Sequence, residues 1–206
     1  MKLRVMRWLT RLALKYKWYY RWSRIYRWLW ERKHDGTRLP SFHSIHILED
    51  TVGSMCWRKD TWLMLWDAVS TPQAAWARHL NGRKAGDCDD ISIFAAVCMV
   101  DMRDKGYLPT VAGIWLLSVP WMDYNRKVGG HNVCAYRYVE KGEVRFGHIS
   151  NWYDGERCEG FQSLREVVLS ILGLRTSMGW ALANPETLAL VEYGEGSDFE
   201  KLRKRR

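Results

Sequence analysis

Hydrophobic positions recur along the chain with two different periods, and the change between them divides the sequence. Residues 2–32 contain no Pro or Gly. On a 3.6-residue wheel Val5, Trp8, Leu9, Leu12, Tyr16 and Tyr19 fall on one side, with Arg4, Arg7, Arg11 and Lys15 opposite. This spacing predicts one amphipathic helix, whose faces merge beyond Tyr20 where Trp22, Ile25, Trp28, Leu29 and Trp30 wrap around it. Asp35-Gly36-Thr37 and Leu39-Pro40 break the pattern and set a boundary near residue 36. A second helix is predicted from about Asp60 through Trp62, Leu63, Leu65, Trp66 and Val69. A third starts at Pro72, with Thr71 as N-cap. In Gly86-Asp87-Cys88-Asp89-Asp90-Ile91 the start signal is sharper: Asp87 can cap a helix, and Asp90 lies three residues on, as in a capping box. Ile91, Phe94, Ala95, Cys98 and Met102 keep helical spacing up to Lys105-Gly106, and their mixed apolar faces predict burial on more than one side.

Beyond residue 110 the period changes. Val111–Leu117 is β-prone, and Asn132–Val139 and Val144–Ile149 flank Glu140-Lys141-Gly142-Glu143, a hairpin turn signal. If Glu140 and Glu143 close a two-residue loop, His131 falls opposite Trp152, and Ser150 becomes its diagonal neighbour on the same face. A one-residue bulge would instead bring Asn151 opposite His131. Later, Leu164, Val167, Val168, Ile171 and Leu172 mark a helix, and Asn184-Pro185-Glu186 is read as opening a short one. Helices, then an antiparallel hairpin, then helices make the fold class α+β.

Composition changes this picture at the two ends. The chain has 206 residues, 47% apolar and 27% charged, which excludes low-complexity disorder and a disulfide-stapled miniprotein. The net charge is +9, but residues 1–33 carry eleven Lys/Arg against Glu31 alone, and the last six residues add five more cations. Residues 34–200 hold sixteen Lys/Arg and twenty-two Asp/Glu, so the body is mildly acidic. Three parts follow: a basic aromatic-rich helical appendage (1–36), a domain (37–200) and a basic tail (201–206). Thirteen Trp demand burial, a membrane interface or a stacking ligand; Trp115, Trp121, Trp152 and Trp180 are candidates for an aromatic groove. The five cysteines are odd in number and form no C-x-x-C pair, which points to a reducing, cytoplasmic compartment. No apolar run is long enough for a membrane span.

Candidate chemistry centres on Cys88. A thiolate in the first turn of a helix meets outward-facing N–H groups and the positive end of the helix dipole. Asp87, Asp89 and Asp90 oppose it by charge, so a nucleophilic Cys88 needs a histidine partner. His131, after Gly129-Gly130 at the start of a hairpin strand, is that partner. Asn151 is the preferred third member, because its amide oxygen can accept from the imidazole N–H; Ser150 and Asp154 are the other candidates. Metal readings use His43-x-x-His46 with Cys56, or His131-x-x-Cys134 with His148. Neither has the paired spacing of a structural zinc site, and His43 and His46 are read as loop residues. No cofactor is expected.

Gly86-Asp87-Cys88-Asp89-Asp90 at a helix start, Gly130-His131-Asn132-Val133 opening a strand and His148-Ile149-Ser150-Asn151-Trp152 ending the next one resemble the transglutaminase-like superfamily of papain-related cysteine enzymes. The chain looks most like the small bacterial and phage-encoded transglutaminase-like cysteine peptidases. The likeness spans about residues 57–155 and departs from the family where Asp usually fills the third role. It implies a nucleophile helix packed on a small antiparallel sheet, and acyl transfer from a protein or peptide substrate. An oxyanion hole would combine the Cys88 N–H with an upstream donor, Gln73 or Trp76. Hydrolysis through a Cys88–His131–Asn151 triad is the expected activity. Alternatives are a catalytically silent scaffold and a protein cross-linking transglutaminase. If the protein is phage-encoded, the compartment is the host cytoplasm. Residues 1–36 have the composition for a membrane surface or a partner subunit, and less favourably for nucleic acid.

Overall fold

The computed structural model describes residues 36–57, 70–152 and 158–195. Residues 1–35 of the appendage, the helix expected from Asp60 to Val69, Asp154 and the basic tail lie outside the described residues.

Four helices and six strands follow one another in the described residues: α1 (Ile45–Ser54), α2 (Pro72–Leu80), α3 (Cys88–Asp104), β1 (Val111–Met122), β2 (Val128–Glu140), β3 (Glu143–Ile149), α4 (Leu164–Leu172), β4 (Thr176–Ser177), β5 (Gly179–Ala183) and β6 (Leu190–Glu195). Each helix begins where a side chain caps it. Ser44 accepts from the His46 N–H, Thr71 from Ala74, Asp87 from Asp89 and Asp90, and Ser163 from Glu166. Pro72 occupies the first turn of α2, where its missing N–H costs no helical bond. The capped start at Ser44 leaves His43 in the preceding loop but corrects the loop reading of His46, which lies in the first turn of α1 with Nδ1 3.3 Å from Glu49.

The strands form one antiparallel sheet in the order β3-β2-β1-β5-β6, with β4 also paired to β1. The β2–β3 hairpin closes through Lys141 (φ 52°) and Gly142 (φ 82°), two left-handed residues whose twist matches that of the flanking strands. Its ladder runs unbroken from Glu140↔Glu143 to Cys134↔Ile149. On the far side of β1 the ladder is interrupted: Trp121 pairs with Ser177 and Ser118 with Ala181, a shift of one residue. Pro120, which has no N–H to donate, lies at the interruption, and its carbonyl accepts from Met178 there.

The sheet is covered on both faces, which makes the protein α+β. On one face Ile91, Phe94, Met99 and Met102 of α3, with Leu48 and Val52 of α1, pack against Ile114, Cys134, Tyr136 and Ile149. On the other, Val167, Val168, Ile171 and Leu172 of α4 pack on Leu117, Val119, Val133, Ala135 and Leu182. Helix α3 also buries Ile93 against Leu116, Ala183 and Leu188, so it is covered on more than one side as its sequence predicts. One expectation about the C-terminal part needs correction. Asn184 caps no helix: its Oδ1 accepts from Glu186 and Thr187 and closes the turn that joins β5 to β6. The chain after α4 forms the strands β4, β5 and β6, with a turn where the short helix at Asn184 was expected. Among the described residues no helix is long and apolar enough to cross a membrane.

Candidate active site at the α3 tip and the open edge of β2

The segment that carries Cys88 is held from both sides. Asp87 Oδ1 accepts from the N–H groups of Asp89 (3.1 Å) and Asp90 (3.3 Å), which fixes the first turn of α3. Asp90, buried, takes the Ser70 N–H at 2.6 Å and lies 3.7 Å from the Arg78 guanidinium, which donates to the Ala85 carbonyl at 2.9 Å. The half-buried Cys88 thiol lies 3.8 Å from Asp89 Oδ1, itself buried. A thiolate at that position meets a like charge.

Helix α3 packs on the face of the sheet opposite α4. The pairing of β3 with β2 stops at Cys134, so residues 128–133 of β2 have no ladder partner on that side. The Ser92 hydroxyl, one turn along α3 from Cys88, donates to the Cys88 and Asn132 carbonyls, the latter at 2.7 Å. Cys88 and His131 therefore flank a common contact: one turn before Ser92 on the helix, and one residue before Asn132 on the strand. Ser92 was not anticipated, although a lone hydroxyl within the buried run Ile91–Ala96 is a legible signal.

His131 projects from the α4 face of β2, directly opposite Val119, and is only 2% exposed. Its Nε2 lies 2.7 Å from Ser150 Oγ. Trp152 stacks on its ring with centroids 3.7 Å apart and planes 9° apart. Ser150 Oγ also accepts the Trp152 backbone N–H at 3.1 Å, so one hydroxyl holds the imidazole and the backbone of the residue stacked on it. Asn151, the preferred third member, does not fill that place: its Oδ1 is buried and makes no hydrogen bond among the described residues. The reason is the strand period. With no bulge in the hairpin, residue 150 shares the face of residue 131 and residue 151 does not.

Burial pushes the His131 pKa down to about 3, and the positive charges of His148 and Arg175 add to the effect. The ring is thus neutral over the physiological range. Its Nδ1 is buried and makes no hydrogen bond among the described residues. The tautomer depends on Ser150. A hydroxyl that accepts from Trp152 N–H can either accept from Nε2–H, leaving Nδ1 a base, or donate to Nε2, leaving Nδ1 protonated. A carboxylate would allow only the first.

The other sequence candidates separate. Trp76 is held in the core, its ring stacked on Phe94 at 5.5 Å, and Gln73 sits one turn before it at the start of α2. His131, Cys134 and His148 do not converge: Cys134 faces α3, with its thiol on Met99 Sδ, while His148 turns to Ser170 under α4. Among the described residues no three His, Cys, Asp or Glu side chains gather to hold a metal ion. Of the four candidate groove tryptophans, Trp121 and Trp152 adjoin the histidine, and Trp115 and Trp180 pack against the α4 core. No protein-family model matches the chain, and no curated protein or solved structure is significantly similar to it.

Proposed function

We propose that the protein is a cysteine-dependent acyl-transfer enzyme with a transglutaminase-like core, hydrolysing a peptide or amide bond with Cys88 as nucleophile, His131 as base and Ser150 as the residue that orients it. The observation that supports this reading is the contact of Ser92 with the Asn132 carbonyl, which ties the helix that begins at Cys88 to the strand residue next to the buried, ring-stacked His131. His131 Nδ1 takes the thiol proton as Sγ attacks the substrate carbonyl. The Cys88 N–H, directed out of the helix tip like the other first-turn amides, meets the developing oxyanion. The tetrahedral adduct expels the amine, which takes the proton back from His131. Water, deprotonated by the same imidazole, then cleaves the thioester to a carboxylic acid and free Cys88.

Thiol alkylation tests this without a known substrate. With iodoacetamide at pH 7.5, Cys88 is expected to label at least tenfold faster than the exposed Cys56, and His131→Ala to remove that advantage. Labelling at the Cys56 rate in the unaltered protein refutes the proposal. The buried Cys98, its thiol pushed up to about 12 by desolvation and by Asp101, serves as the unreactive reference.

One observation favours a second reading, a catalytically silent binding module. The thiol faces Asp89, and a histidine kept neutral by burial, with a hydroxyl as its partner, is a weak base. Ser150→Asp separates the two. A carboxylate fixes the Nε2–H tautomer and stabilises the imidazolium, so Cys88 alkylation is expected to accelerate on the order of tenfold or more, with Ser150→Ala slower than the unaltered protein. A silent module responds to neither substitution.

A further inference from the structure

His131 owes its isolation from water to a layered stack, and the outermost layer is a residue that the acyl-transfer scheme does not use. Trp152 covers the imidazole, yet it is 42% exposed and sits in the turn that follows β3. Its ring leans on Trp121 of β1 at 5.3 Å. The Arg175 guanidinium lies over both indoles, 4.8 Å from the Trp121 ring centroid and 5.4 Å from that of Trp152. The chain holds Arg175 on both sides. Gly173 ends α4 in a left-handed conformation (φ 52°), the Arg175 N–H returns to the Leu172 carbonyl at 2.9 Å, and Thr176 pairs with Met122.

We propose that Arg175 is a positioning residue for His131: its guanidinium clamps Trp152 over the imidazole, so that the ring is held in one plane and walled off from water. A planar cation can lie on two indoles at once, which the compact ammonium of a lysine cannot do as well. The charged and titratable groups that act on the histidine are His148 from β3 and Arg175 from the α4–β4 turn. Arg175 thus acts twice, by closing the stack and by placing a cation near a ring that works unprotonated. Its importance to catalysis rests on the reading of His131 as base; the clamp itself does not.

Carbethoxylation by diethyl pyrocarbonate, mapped by peptide mass spectrometry on the full chain at pH 6.5, reads the clamp directly, because the reagent acylates accessible neutral imidazoles. Arg175→Met is expected to label His131 at least tenfold faster than the unaltered protein, Arg175→Lys to fall between, and Trp152→Ala to give the fully uncovered rate. His148, packed against Ser170 and Phe161, is expected to keep its original rate in all three. The proposal is overturned if Arg175→Met leaves His131 as protected as before while Trp152→Ala exposes it. It is equally overturned if His148 accelerates in parallel, since Arg175 would then hold the whole face together. Neither readout involves Cys88, so a failed clamp and a failed acyl-transfer reading are told apart.

Discussion

Gly86→Ala is expected to destabilise the protein by about 3–5 kcal/mol, at the severe end for a single methyl group, and to abolish fast labelling of Cys88. The backbone at Gly86 has φ 155°, in the region that L side chains rarely adopt. A Cβ built there would stand 2.0 Å from Asp90 Oδ2 and 2.4 Å from Asp90 Cβ. Rotation of Asp90 does not relieve this, because its Cβ is fixed by the helix and its carboxylate is engaged: Oδ1 holds the Ser70 N–H and Oδ2 faces Arg78. Either the tip of α3 moves or the Ala85–Gly86 segment lifts off it. Each route breaks the arrangement of Arg78, Asp90 and the Ala85 carbonyl that positions Cys88. Urea unfolding at pH 7.5 measures the loss. A midpoint within 1 kcal/mol of the unaltered protein would show that the segment can relax, and that the glycine is not required for the fold at the nucleophile.

How far the site was legible depends on which physical signal was strong. Asp87 announced α3 because a capping carboxylate is a local device, readable without any tertiary information. The hairpin register was legible for a similar reason. Lys141 and Gly142 adopt the two positive φ angles that a two-residue loop demands, and the loop length then fixes every cross-strand partner, Ser150 beside His131 included. The preference for Asn151 failed because it ranked amide chemistry above strand parity, and in an unbroken ladder parity decides. The sheet beyond α4 was hidden for a different reason. Its strands are short, one is interrupted opposite Pro120, and Asn184 emits the same capping signal whether it opens a helix or closes a turn. Arg175 gave no local signal at all: its role arises only where the end of α4 meets Trp121 and Trp152, elements far apart in the chain.

The same buried face makes the protein acid-labile. His131 and His148 are buried neutral, their pKa values pushed down to about 3 and about 4 from 6.5, in both cases first by desolvation. Ser170 gives its hydroxyl proton to the Val167 carbonyl and so accepts from His148 Nε2–H at 3.2 Å, a bond that satisfies the neutral ring. A depressed histidine pKa means that the unfolded chain binds protons the folded one refuses. Stability is therefore complete above about pH 6.5 and declines as pH falls towards the folded values. Linkage puts the loss from the two residues at about 4 kcal/mol by pH 5 and about 6 kcal/mol by pH 4. That is comparable with the whole stability of many domains, on the order of 5–15 kcal/mol. Circular dichroism at fixed urea is expected to show cooperative unfolding between about pH 6 and pH 4. His148→Asn, which keeps a donor for Ser170 but cannot titrate, is expected to remove close to half of the pH dependence while lowering stability at pH 7.5. An unchanged slope between pH 6 and pH 4 in that variant would mean that protons enter elsewhere, and that the α4 face does not refuse charge as strongly as its burial implies.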